Sequence, residues 1–111
     1  MALKPYQIRM VENDTLPSLR GTVKEDDGMA ADLTGGGVEV HINYATPLVK
    51  TATIAVPTTG VWVVEWTAGD IRVGTWTYEI QITDSVGNVR TYNRDIDTDK
   101  LLEIVIDSEV A

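Results

Sequence analysis

The chain contains no cysteine. That excludes disulfides, Cys-based zinc sites and a thiol nucleophile, and it fits synthesis in a reducing cytoplasm. No apolar run approaches the roughly 20 residues of a membrane span. The opening MALKPYQIRMVEND has neither an apolar h-region nor a small-residue cleavage site, so no secretory signal is expected. Basic residues are also scarce: 9 Lys and Arg stand against 17 Asp and Glu, for a net charge of −8. A nucleic-acid binder needs a basic footprint to neutralise phosphates. The few bases here are scattered, so nucleic acid and membrane are not expected partners. Acidity of this kind steers a chain towards basic protein surfaces.

What the chain does have is alternation. Its 111 residues suit one domain, and 43% are hydrophobic, enough for a packed core. Tyr6, Ile8 and Met10 alternate with polar neighbours, then "ENDT" reads as a turn. Leu16, Leu19, Gly21 and Val23 follow, with Pro17 at an edge or entry. Asp27-Gly28 signals a hairpin. Val38, Val40, Ile42 and Tyr44 form the next face, and Pro47 breaks the pattern. Ala52, Ile54 and Val56 predict a strand ended by "PTTG". Trp62, Val64 and Trp66 share one face of "VWVVEW", and "TAGDIRVG" reads as a loop. The clearest strand is "TWTYEIQIT", with Trp76, Tyr78, Ile80 and Ile82 inward. "DSVGN" turns into "VRTYNRDI", and "LLEIVID" closes the chain with Leu102, Ile104 and Ile106 on one face. About eight short strands with regular turns predict an all-β sandwich or small barrel. No segment has sustained helical spacing.

Several stretches invite a chemical reading. Gly35-Gly36-Gly37 is no phosphate loop, because neither a lysine nor a helix follows it. It reads as a turn that uses positive φ and close backbone approach. His41, the one histidine, shares an outward face with Glu39 and Asn43. Ser18, Ser85 and Ser108 sit in turn or terminal contexts, outside any nucleophile elbow. Asp95, Asp97 and Asp99 follow a DxDxD spacing. Lys100 and Ile106, however, occupy the positions where a calcium loop needs Gly and Glu. No metal and no cofactor are expected. The acids cluster in turns rather than pairing across a cleft, which argues against a glycosidase. Trp62, Trp66 and Trp76 align with apolar neighbours and read as core. On a flat exposed sheet they would instead make a carbohydrate-binding β-sandwich module, the alternative function. Val61 and Val63 lie opposite Trp62, and Leu101 and Val105 lie opposite Leu102. These four give both faces apolar character and mark a candidate interaction surface.

The order of landmarks resembles a known family. "NDTLPSLRGTVKEDDGMAADLTGGGVEVHI" is similar to the opening of small tailed-phage virion domains, in particular the N-terminal domain of phage baseplate upper proteins. Later landmarks match in order: Gly60-Val61 and Trp66, Gly69-Asp70, Gly74-Thr75-Trp76 with Glu79, and Val89-Arg90-Thr91. The resemblance covers about residues 6 to 106. It implies an Ig-like antiparallel β-sandwich of seven to eight strands, no catalysis, and life in an oligomeric particle. Baseplate upper proteins continue into further segments, so a chain of this length is expected to be a small adaptor or decoration subunit. The resulting expectation is one β-sandwich domain over 1–111 with short arms at 1–5 and 107–111. Its function would be that of a non-enzymatic structural protein of a tailed-bacteriophage virion, in the tail, the baseplate or the capsid coat. Its partners would be other virion proteins and copies of itself, and its location the virion, after synthesis in the host cytoplasm.

Overall fold

A computed structural model describes residues 7–12, 14, 18–25, 29–95 and 99–108. The fold is all-β: two sheets enclose one core, and no α-helix occurs among the described residues. The strands are β1 (Gln7–Val11), β2 (Leu19–Thr22), β3 (Gly37–Ile42), β4 (Leu48–Thr51), β5 (Thr53–Val56), β6 (Val61–Val64), β7 (Gly74–Thr83), β8 (Val89–Tyr92) and β9 (Glu103–Asp107). The larger sheet runs β1-β9-β7-β3-β4, with β8 also paired to β7; the smaller runs β2-β6-β5. β1 joins β9 in parallel, and the other strand pairs are antiparallel.

Alternation explains the core. Val38, Val40 and Ile42 on β3, Trp62 and Val64 on β6, and Ile104 and Ile106 on β9 are all buried, and their odd-phase neighbours are not. Each such side chain contributes roughly 1.5–3 kcal/mol of transfer free energy. Gly21 lies opposite Trp62 in the β2–β6 register. A Cβ there would fall 2.4 Å from Trp62 Cζ2, so the indole occupies the space that glycine leaves.

The nine segments exceed the seven or eight expected, and two features account for it. First, the run 48–56 changes sheets. Thr51 pairs with Glu39 in the larger sheet, buried Ala52 donates its N–H to Val38 O, and Thr53 pairs with Val63 in the smaller. The sequence reading missed β4 because Lys50 takes an inward phase there and hides the alternation. Val56 also departs from its expected face: a register shift after Ile54 turns it outward. Second, β8 and β9 are one strand, interrupted. Tyr92 pairs with Ile80 and Glu103 with Thr77. Three residues of β7 separate those partners but eleven residues of chain do, a surplus of eight, the length of Arg94–Leu101. The excursion closes at its base, where Leu102 N–H donates to Asn93 O and Arg94 bridges Leu101. Because eight is even, Leu102 and Ile104 still face the core.

The glycine run divides its labour. Gly35 takes φ +77°, a conformation that L side chains avoid. A Cβ on Gly36 would lie 2.3 Å from Thr83 O, whereas one on Gly37 would meet nothing within 4 Å. The Asp27-Gly28 tip lies outside the described residues, but its flanks pair as a hairpin: Lys24 bridges Ala30, and Glu25 N–H donates to Met29 O.

Two predictions follow from this geometry. Gly36→Ala should cost about 1–3 kcal/mol in urea unfolding, since a backbone oxygen must move. Gly37→Ala should stay within about 0.5 kcal/mol of the parent; equal losses at both positions would contradict the assignment. Deleting 94–101 and joining Asn93 to Leu102 should leave a cooperative fold, with stability changed by about 1 kcal/mol or less. Amide spectra of β7 should be retained. Loss of a cooperative transition would show that the excursion is integral to the sheet.

Candidate interaction surfaces

The four residues singled out from sequence do not form one patch. Val61 and Val63 lie half-buried on the outward face of β6, the central strand of the smaller sheet. Val61 stands between Thr22 and Val56, and Val63 between Arg20 and Thr53. Val105 is half-buried on the outward face of β9, between Arg9 and Thr75. Leu101 is exposed at the foot of the Arg94–Leu101 excursion. Val61 and Val63 therefore face out from the smaller sheet and Val105 from the larger, on opposite sides of the molecule. Arg9 and Asp107 form a bidentate ion pair beside Val105, with Nε–Oδ2 at 2.8 Å and an Nη2–Oδ1 bond at 3.0 Å.

The other sequence candidates are dispersed. His41 lies on β3 opposite Val49 and Glu79, with Nε2 3.8 Å from Glu39 Oε1. That nitrogen is buried and lacks a hydrogen-bond partner among the described residues. Ser85 sits in the β7–β8 turn and Ser108 beyond β9. Asp97 lies outside the described residues. Asp95 and Asp99 are joined through the backbone, Asp99 N–H donating to Asp95 O at 2.8 Å. No cluster of metal-ligating side chains occurs among the described residues. Trp62 and Trp66 are buried, and Trp76 is half-buried with its indole N–H donating to Arg72 O. These are the rings on which the sugar-stacking alternative rested, and they pack inward.

One constellation has the look of a site. Asp70 ends a short 3-10 turn, Ala68–Asp70, in the β6–β7 connection. Its Oδ2 accepts from Lys50 Nζ at 2.8 Å, from Thr67 N–H at 2.8 Å and from the Thr67 hydroxyl at 3.0 Å. Tyr44 OH donates to Asp70 O and accepts from Arg72 N–H. The Tyr44 ring meets Trp76 edge-on at 4.8 Å and lies beneath the Arg72 guanidinium at 4.7 Å. Burial raises the Asp70 pKa, but Lys50 and then Thr67 outweigh it and hold the carboxyl below its ordinary value. Burial likewise raises the Tyr44 hydroxyl. The Lys50 ammonium, the Asp70 carboxylate and the Tyr44 hydroxyl each bond a neighbour in the same corner, so the geometry is that of a clasp holding β4 and the β6–β7 connection together.

The sequence reading missed the loop end. There the segments 29–36, 57–60 and 84–89 meet. Leu33 N–H donates to Pro57 O, and a Cβ on Gly35 would lie 3.2 Å from Ser85 Cβ. Asp32 Oδ1 accepts from both Thr34 N–H and the Thr34 hydroxyl. Asp84 Oδ1 accepts from Val86 and Asn88 N–H, and Oδ2 from the Asn88 amide. Thr34, first through its hydroxyl, lowers the Asp32 pKa, and Asn88, first through its backbone, lowers that of Asp84. Among the described residues, four of the eight well-exposed large hydrophobics sit at this end: Met29, Val56, Val86 and Val89. Val86 is 80% exposed and Met29 68%. The signal was present in "DSVGN", where a β-branched apolar residue occupies an otherwise polar turn.

Asp70→Asn should cost about 1–3 kcal/mol at neutral pH by removing the charge that Lys50 and Thr67 satisfy. The sign in acid follows from the lowered folded-state pKa. The ion pair contributes above the unfolded value of about 4 and is lost as pH falls through the folded value. The parent should therefore lose more stability than Asp70→Asn as pH falls below about 4, as measured by urea melts at successive pH values. Parallel curves would remove Asp70 from the acid response.

In comparisons with known proteins, no family model and no curated protein matches the chain.

Proposed function

We propose that the chain is a non-enzymatic structural protein of a tailed-bacteriophage virion, a tail or baseplate adaptor or a capsid decoration subunit, acting through protein–protein contacts. The observation that carries this reading is the ordered series of landmarks from "NDT" to "VRT"; those from Asp32 onward lie among the described residues and fall at working positions of the fold. Asp32 and Thr34 cap the turn into β3, Gly60 takes a left-handed φ of +71° before β6, and Gly74-Thr75-Trp76 opens β7. Asp70 belongs to the clasp, and Val89-Arg90-Thr91 begins β8.

An Ig-like arrangement is supported by the strand order. Domains of that kind place the second, fifth and fourth strands of their scheme in one sheet and the third, sixth and seventh in the other. Here β2, β6 and β5 form the smaller sheet, while β3, β7 and the interrupted β8–β9 strand form the middle of the larger. Partners would meet the unpaired edges of β1, β2, β4, β5 and β8. The arm at 1–5 lies outside the described residues. Of the arm at 107–111, Asp107 is the last residue of β9 and Ser108 follows it.

The test is composition. Tailed particles produced from a genome encoding this chain are banded in a density gradient, and their proteins quantified by mass spectrometry. The chain should band with the particles at a fixed copy number that is a multiple of the tail or capsid symmetry. Its absence from banded particles would overturn the proposal.

A further inference from the structure

We infer that the outward face of the smaller sheet is an interface between two copies of this chain, packed face to face about a two-fold axis along β6. The face is continuous by register. Thr22, Val61 and Val56 form one row across β2, β6 and β5, and Arg20, Val63 and Thr53 form the next. Val61 and Val63 are half-buried, and Val56 is exposed. Apart from Arg20, every side chain in these rows is β-branched, and such side chains are stiff. They make a flat, apolar-centred surface of the kind that two sheets pack together. A stiff surface loses little rotamer freedom on docking.

Charge selects a second copy as the occupant. His41 aside, the outward positions of the larger sheet hold Glu39, Glu79, Glu103 and Asp107 against Arg9 among the described residues. Two copies meeting there would set acid against acid. The smaller sheet differs. Arg20 is the one charged side chain at the outward positions of β2, β5 and β6, and Glu65 follows in the same phase just beyond β6. Lys24 lies past the other end, bridged to Ala30. In a chain of net charge −8, this sheet face alone carries a cation and an anion that can complement a copy of itself.

Two-fold symmetry uses that pair. Rotation about an axis along β6 sets Val61 and Val63 over their own counterparts, and β2 of one copy over β5 of the other. Arg20 then lies across from Thr53 of the second copy, one row from its Glu65. A row is roughly 6.6 Å along the strand and packed sheets are about 10 Å apart, a gap that an arginine and a glutamate side chain span together. An isologous interface makes each contact twice, so two Arg20 side chains flank two Glu65 carboxylates. Three strands of four residues offer less than the roughly 800 Å² per partner of a standard interface. The dimer is therefore weak and populated at high concentration. The inference does not rest on the virion reading, because it concerns the isolated chain; a monomer in solution would leave banding with particles unaffected.

Sedimentation equilibrium of the purified full chain, from about 10 μM to about 1 mM, should show a monomer–dimer equilibrium with a Kd of about 0.1–1 mM. Arg20→Glu and Glu65→Arg, both at exposed positions, should each raise that Kd about tenfold. An equimolar mixture of the two variants should recover the dimer, since opposite charges then meet at both contacts; recovery also shows that both variants are folded. Val56→Ser keeps every charge and should weaken association about tenfold, because the side chain is lost from both copies. Val49→Ser, exposed on the outward face of the larger sheet, should leave it unchanged. A strict monomer at about 1 mM, a dimer indifferent to both charge reversals, or a mixture that stays monomeric would each overturn the inference.

Discussion

The larger sheet is hydrogen-bonded, directly or through one neighbour, to the ten residues Gly74–Thr83. β7 pairs with β3 along one edge and with β8 and β9 along the other, and β4 and β1 attach beyond them. A strand bonded on both edges cannot shift by one residue without turning Tyr78 and Ile82 out of the core and burying Thr75, Thr77, Glu79 and Gln81 in their place. Its inward side chains therefore set the phase of every neighbour. Burial at Tyr78 raises its pKa to about 12, with Asp95 adding to the effect, so the phenol stays neutral through the physiological range.

The smaller sheet is held to this spine by covalent and polar means as well as by apolar packing. Ala52 carries the chain from one sheet to the other, and a larger side chain at its buried position would wedge the sheets apart. The clasp works on the other connection. Lys50 points inward from an edge strand, where an unpaired ammonium would be costly. The Asp70 carboxylate, already organised by Thr67, supplies the missing charge. An inward charge on an edge strand also discourages pairing with stray strands. The residue that obscured β4 in the sequence is the one that makes β4 a safe edge.

What could be read from sequence and what could not divide along a physical line. Period-two alternation reports which side of a strand is buried, so the inward faces of β3, β6, β7 and β9 were legible, as was Gly35-Gly36-Gly37 as a turn. Alternation does not report which sheet a strand joins. Val61 and Val105 therefore looked equivalent although they face opposite ways. Nor does it detect an insertion of even length, since Leu102 and Ile104 keep their phase across Arg94–Leu101. Long-range charge pairing was equally hidden: nothing near Lys50 in sequence announces an acid twenty residues later. Val86 was legible as an anomaly, an apolar residue where turn chemistry has no use for one. A single apolar residue in a turn has no period, so alternation carries no signal for it.

Building and facing outward fall to different residues in this molecule. Gly60, Asp70, Gly74 and Trp76, which are among the landmarks of the proposed resemblance to virion domains, hold corners and are tied to their neighbours. Met29, Val86 and Val89 are exposed, and neither the core nor the clasp draws on them. Substitution at the first set disturbs packing, hydrogen bonding or a left-handed turn. Substitution at the second changes only what the surface offers. A scaffold divided in this way can take new partners without refolding its core, because the exposed turns are held by hydrogen bonds of their own. In the proposed virion role, that separation would let one frame hold its position in the assembly while its loop end faces a neighbour.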